Sequence, residues 1–207
     1  MPSYKTVAHS SEAEHTTQKS RFIARCFQVE SEEEAARHIG ETKKRYWDAT
    51  HNCYAYRIGD KGEISRCSDD GEPHGTAGRP ILEVLLRQNV TDILCIVTRY
   101  FGGVLLGTGG LARAYATACA DALLRAGIVQ MRECTLLELQ ADYAAWQTLQ
   151  TLLRTQGIVD WKADYTENVK CRFWLPTDRV AELAAILRDS LYGLPPFNVI
   201  ERRMRPV

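Results

Sequence analysis

Two short segments hold most of this chain's glycine. They are Ser68–Gly78, SDDGEPHGTAG, and Arg99–Leu111, RYFGGVLLGTGGL. Of fourteen glycines in 207 residues, eight lie here: Gly71, Gly75, Gly78, Gly102, Gly103, Gly107, Gly109 and Gly110. Glycine loses more conformational freedom on folding than any other residue. Clustering it therefore marks places where the backbone must turn sharply or come close to another group. Both segments run into stretches with helical periodicity. A helix start presents free N–H groups and the positive end of the dipole, which favour an anion. The chain is thus built around a surface made of loops.

What else the chain can be is bounded by its composition. With 207 residues it has room for one large domain or two small ones, each able to bury a core. It is 45% hydrophobic and 25% charged, which is ordinary globular composition rather than that of a disordered chain. Net charge is zero. The balance is also local: residues 1–130 carry 16 Lys or Arg and 16 Asp or Glu, and residues 131–207 carry 10 and 10. Bulk charge would not hold such a protein on nucleic acid or an anionic membrane, so either contact needs a local patch. The seven cysteines are odd in number, and Cys26, Cys95, Cys119 and Cys171 read as small buried hydrophobes. No C-x-x-C spacing is present, which removes the simple zinc and thioredoxin-like readings. Residues 1–20 lack the apolar core of a signal peptide, and no apolar run reaches the length of a membrane span. A cytoplasmic location without membrane contact is expected.

The first eighteen or so residues are polar and read as a loose arm or an edge element. Ser20–Val29 has the β-branched and aromatic content of a strand. Ser31 stands as an N-cap, with Glu32, Glu33 and Glu34 behind it and Lys43, Lys44 and Arg45 at the far end of a helix reaching about Trp47. His51–Ile58 and Glu63–Ser68 read as a hairpin, Pro80–Gln88 as a helix, and Asp92–Tyr100 as a strand buried on both faces. Gly110–Ala126 is an alanine-rich helix with Leu111, Tyr115, Ala118, Ala122 and Ala126 on one stripe, closed by Gly127. A boundary is expected near Gln130–Cys134. Beyond it come a strand (Thr135–Ala141), a helix (Tyr143–Gln156) and strands at Ile158–Tyr165 and Val169–Leu175. A helix capped by Asp178 and running to about Leu191 follows, then a strand at Phe197–Glu201. The order β-α-β-β-α-β is the split pattern of a ferredoxin-like domain.

The loops admit several chemistries. Gly107-x-Gly109-x-x-Ala112 fits a dinucleotide motif and precedes a helix, but Phe101–Leu106 separates it from the strand, where that fold uses a tight turn. No Gly-Lys-Ser/Thr follows, so a Walker loop is excluded. A looser anion-binding role for the Gly107–Gly110 amides stays open, beside a plain tight connection. Asp69, Asp70 and Glu72 could bind a divalent cation, yet they lack the alternation of a calcium loop and could equally hold the turn. His51 and Cys53 share a strand face, with His74 as a further partner if the loop folds back; i, i+2 neighbours sit too far apart for a nucleophile pair. Lys19, Arg21, Arg79, Arg99 and Arg113 flank the loops and form a basic patch if they converge, with Tyr100, Phe101 and Tyr115 for stacking. Gly103 and Gly109 are expected to adopt backbone angles closed to other residues.

Four stretches together resemble the IMPACT family. They are Lys19-Ser20-Arg21-Phe22-Ile23, His51-x-Cys53-x-Ala55, Ser68-Asp69-Asp70-Gly71-Glu72-Pro73-x-Gly75-Thr76-Ala77-Gly78-x-Pro80 and Arg99-Tyr100-Phe101-Gly102-Gly103-x-x-Leu106-Gly107-x-Gly109-Gly110-Leu111. The resemblance implies an α+β protein of two domains. Residues 1–130 would be a βαβ domain like domain IV of elongation factor G, and residues 135–207 a ferredoxin-like domain like domain V of that factor. Eukaryotic members of the family act in translational control by competing for an activator of a stress-response kinase. They carry an extra N-terminal interaction domain that is not expected here. The family supplies no established catalytic residues, and no cofactor or metal is expected.

The leading expectation is a non-enzymatic protein linked to regulation of translation, binding RNA or a ribosome-associated partner; a protein partner stays open. The surface would comprise Lys19, Arg21, His51, Cys53, Ser68, Asp69, Asp70, Gly71, Glu72, Gly75, Thr76, Arg99, Tyr100, Gly102, Gly103, Gly107, Gly109 and Gly110. The rival is a hydrolase or phosphotransferase on the same surface.

Overall fold

A computed structural model describes residues 3–190 and 197–207. The chain is α+β and divides into two compact units, Ser3–Met131 and Arg132–Val207.

In the first unit the elements are β1 (Ser3–Val7), β2 (Ser11–Thr17), β3 (Ser20–Gln28), α1 (Glu32–Arg45), β4 (His51–Ile58), β5 (Ile64–Ser68), α2 (Gly78–Arg87), β6 (Ile93–Tyr100) and α3 (Gly107–Ala126). The sheet order is β2-β3-β6-β4-β5, and every neighbour pair is antiparallel. The run Ile93–Val97 is fully buried because β6 is the middle strand, covered on both sides. Its side chains alternate as a strand's must. Ile93, Cys95 and Val97 join the core beneath α2 and α3, while Leu94 and Ile96 join Val29, Ala35 and Ile58 on the α1 side.

Of the two readings for the first residues, loose arm or edge element, the second holds for β2. β2 pairs along its whole length with β3 and makes the sheet's edge, although Ala13 is its one buried residue. Main-chain pairing holds it where hydrophobic patterning does not. Helix α1 begins as its sequence requires: the Ser31 hydroxyl accepts from the Glu34 N–H. It ends at Arg45, short of Trp47. Helix α3 closes at Gly127, whose φ of 66° is the left-handed conformation glycine tolerates.

The second unit contains β7 (Ile128–Ala141), α4 (Tyr143–Thr155), β8 (Trp161–Tyr165), β9 (Val169–Pro176), a 3-10 turn (Thr177–Arg179), α5 (Val180–Ser190) and β10 (Phe197–Pro206). Strand β7 starts seven residues before the expected Thr135, and the division between units lies inside it. Asp142 caps α4 by accepting from the Ala145 N–H. Among the described residues Asp178 caps no helix N–H: it lies within the 3-10 turn and pairs with Arg132. The expected helix end at Leu191 lies outside the described residues. Strands β7, β9 and β8 are neighbours in that order, and β10 also pairs with β7. Leu149, Leu153, Leu183 and Leu187 of the helices pack on Leu137, Leu139, Cys171 and Phe173 of the sheet. No helix among the described residues is long and apolar enough to cross a membrane.

Candidate functional site

The first glycine loop, between β5 and α2, is organised by Asp69. Its carboxylate accepts from the N–H groups of Gly75 (2.8 Å), Ala77 (3.1 Å) and Gly78 (2.8 Å), filling the donors left open at the start of α2. Burial alone would raise this carboxyl; the three N–H groups outweigh it and hold it below the usual range. Asp70 takes a different direction. Its Oδ2 accepts from the Asn52 N–H at 2.7 Å, and its Oδ1 meets the Lys43 ammonium at 2.6 Å. Its carbonyl accepts from His51 Nδ1 at 2.8 Å. Ser68 accepts from the Asp70 N–H, and Thr76 donates to the Pro73 carbonyl. Gly71 and Gly75 turn the chain with φ of 90° and 75°.

Glu72 points inward. One carboxylate oxygen is 2.6 Å from an Arg99 guanidinium nitrogen and 2.8 Å from the Tyr115 hydroxyl. Its other oxygen lies 3.9 Å from His51 Nε2. The Arg99 and Glu72 side chains are 7% and 2% exposed, so the pair is sealed from solvent. The three carboxylates that the sequence presents as one acidic cluster thus diverge, each held by separate partners. They make no common cation site.

Cys53 and Tyr115 line the same buried pocket of polar groups. The Cys53 sulfur is 3.0 Å from the Asp69 carbonyl and 3.3 Å from the Tyr115 hydroxyl. Burial pushes the Cys53 thiol and the Tyr115 phenol far above their ordinary values. Burial thus disfavours the thiolate, the form a nucleophile needs. His74 does not fold back; its side chain is fully exposed. Tyr115, expected as a stacking surface, is fully buried beneath Phe22, at an edge-on 5.1 Å.

The basic patch also resolves differently from expectation. Arg99 belongs to the core, Arg21 pairs with Glu14 at 2.8 Å, and Arg79 pairs with Glu83 at 3.1 Å. Lys19 and Arg113 are exposed and have no carboxylate partner among the described residues. Lys19 sits in the β2–β3 turn with a φ of 66°.

The second glycine loop, between β6 and α3, is hydrogen-bonded through its start, and at its far end Leu106 packs half-buried against the core. Gly102 donates to the Ser20 hydroxyl at 3.2 Å, and the same hydroxyl lies 3.4 Å from Arg99. A Cβ on Gly102 would stand 2.0 Å from the Lys19 carbonyl carbon, so only glycine allows this approach. Phe101 bonds Thr50, and Tyr100 donates to Asp48 at 2.9 Å. From Gly103 to Gly110 no side chain of the described residues bonds the backbone, and Leu106 offers no cap to α3. Phe101, Val104 and Leu105 are exposed, Leu105 to 86%. Gly103 has the expected left-handed angle, with φ 82°, and Gly107 has φ 67°. Gly109 and Gly110 do not: they lie in the first turn of α3, where a Cβ on Gly109 would meet only the end of Arg113.

The expected residues therefore separate into three groups. Ser68, Asp69, Asp70, Gly71, Gly75 and Thr76 build the first loop; His51, Cys53, Glu72 and Arg99 build the polar core beneath it. Lys19, Arg21, Tyr100, Gly102, Gly103, Gly107, Gly109 and Gly110 lie on the second loop or the strand ends beside it, exposed or half-buried. Sequence reasoning missed Ser20 and Lys43 as anchors, and Trp47, which is 82% exposed beside Asp48.

The chain has clear relatives. The Impact N-terminal domain matches residues 18–123, and a domain of unknown function, DUF1949, matches residues 139–193. The IMPACT family member YvyE of Bacillus subtilis is 42% identical over 168 residues, covering 81% of this chain and 77% of that protein. The IMPACT family member YigZ of Escherichia coli is 37% identical over 188 residues, covering 88% and 91%. A solved structure described as that of a hypothetical protein is 35% identical, covers 97% of this chain and 98% of its own, and superposes with a TM-score of 0.62. With just over half its length matched by the family's own domain and such identity along most of the rest, the chain belongs to the IMPACT family.

Proposed function

We propose that this protein is a non-enzymatic, cytoplasmic regulator of translation that binds RNA or a ribosome-associated partner through its second glycine loop. The link to translation comes from the resemblance to family members that act in translational control. The observation that carries the binding surface is the bare start of α3. Its first-turn amides have no side-chain cap, and Lys19 and Arg113 are exposed with no carboxylate partner among the described residues. Such a turn with cations nearby favours a phosphate backbone. Enzymatic use of the first loop is disfavoured because each of its carboxylates already serves the fold and the Cys53 thiol is buried.

Binding of single-stranded RNA to the full chain, measured across salt concentrations, tests this reading. Arg113→Ala and Lys19→Ala should each weaken binding to different sequences alike and lower the salt slope by about one unit. Unchanged affinity and slope in both would turn the search toward a protein partner at Phe101–Leu106.

A further inference from the structure

The second unit has helices packed on one face of its sheet, and side chains of a strand alternate between faces. Leu137, Leu139, Cys171, Phe173 and Leu175 point into the helix-covered core. The intervening residues point the other way. The register sets Leu136 opposite Trp174, Glu138 opposite Arg172, and Lys162 opposite Arg172. Trp174 therefore stands half-buried on a face that neither α4 nor α5 covers, on one of the two middle strands. Arg203 and Arg205 of β10 both lie over its ring, each 4.6 Å from the centroid.

Cations outnumber carboxylates on and beside this ring. Lys162, Lys170, Arg172, Arg179, Arg203 and Arg205 stand against Glu138, Asp160, Asp164 and Glu201. Arg172 is taken by Glu138 at 2.6 Å, and Arg203 has a distant pair with Glu201 at 3.8 Å. Among the described residues Arg205 has no carboxylate within 4.0 Å. Next to Trp174 opens a cleft of about 240 Å³, lined also by Arg205, Arg179, Asp160, Cys134 and Val159. An aromatic ring with two guanidinium groups over it, one of them without a carboxylate partner among the described residues, and a cleft alongside matches the needs of an unstacked base and its phosphate. Sheets that read RNA do so with aromatic side chains on such a face.

We propose that this face of the second unit, centred on Trp174, is a stacking platform for single-stranded RNA. The base lies against the Trp174–Arg205 pair, and Arg203 and Arg205 carry the phosphate charge. The platform is separate from the second glycine loop and does not depend on it.

The test is binding of the full-length protein to a labelled oligouridine of about twelve nucleotides, long enough for several stacked bases. Trp174→Ala should weaken binding about tenfold or more, while Trp174→Phe, which keeps a stacking face, stays within about threefold. Arg205→Ala should lower the salt slope by about one unit. Trp174 is outside the apolar core, and the Phe variant separates lost stacking from lost structure. Lys19→Ala and Arg113→Ala should leave the Trp174 effect intact, so failure of the loop reading is distinguishable from failure of this one. Equal affinity of wild type and Trp174→Ala overturns the platform. So does equal competition by duplex RNA, which would mean charge alone, or no binding by wild type at low salt.

Discussion

The two glycine loops look alike in sequence and are opposites in structure. In the first, nearly every polar group is spent internally: Asp69 takes three amides, Asp70 an amide and a lysine, Glu72 an arginine and a tyrosine. In the second, the N–H groups from Gly103 to Gly109 meet no side-chain acceptor among the described residues, and Leu105 turns to solvent. Glycine serves close packing and a tight turn in one case and a bare, approachable backbone in the other. Both loops precede a helix, but only α2 has its first donors filled by a carboxylate. Glycine density marks where backbone geometry is special; the neighbouring side chains decide whether that geometry is scaffold or surface.

If this contrast holds, substitutions in the first loop and at Gly102, where the second is anchored, should cost stability, and those from Gly103 to Gly109 should not. The largest effect belongs to Glu72→Ala, which strands a buried guanidinium and a buried hydroxyl. It should cost about 3–5 kcal/mol in denaturant unfolding; a cost under about 1 kcal/mol would mean that the pair is not what holds the loops.

Next comes Asp69→Ala, at about 1.5–3 kcal/mol, since charged hydrogen bonds to three amides are lost. Asp69 also gives a pH signature. Its folded-state pKa is depressed, so its contribution is present above the unfolded value of about 4 and is lost as pH falls through the lower folded value. Stability should drop on acidification in that window, and Asp69→Asn should flatten the drop. An identical acid profile in the variant would remove Asp69 from the account.

Smaller still are two glycine substitutions that pull in opposite directions. Gly102→Ala forces a Cβ into the Lys19 backbone and should cost about 1–3 kcal/mol, as overpacking does. Gly109→Ala, inside a helix with open space, should be neutral or stabilise by up to about 1 kcal/mol. Melting the two side by side sharpens the contrast; equal losses would erase it. The smallest effect is at Leu105→Ser, within about 0.5 kcal/mol of wild type, with any change confined to binding.

Much of the fold was legible because burial left periodic marks. The Ser31 cap, the β4–β5 hairpin and the α3 stripe all follow from local patterns. Strand β2 was not, since its alternation is almost wholly polar and its main-chain ladder to β3 leaves no trace in composition. Strand β7 was read short because Arg132 and Glu133 interrupt its apolar residues. In the site, the sequence held two signals that were not drawn out. Alternation along β6 puts Arg99 on the face of Cys95 and Val97, under α3, and Tyr115 shares a stripe with Leu111 and Ala118. Both are interior positions. The divergence of Asp69, Asp70 and Glu72 had no such signal, because it depends on Asn52, Lys43 and Arg99 arriving from distant elements.

Residue-resolved amide exchange, with and without ribosomal particles, tests the central claim most directly. The account predicts slow exchange at Gly75, Ala77 and Gly78 in the free protein, and fast exchange from Gly103 through Gly109. Adding ribosomal particles should then protect the second set and leave the first unchanged. Fast exchange at Gly75–Gly78, or protection from Gly103 through Gly109 before any partner is added, would contradict it.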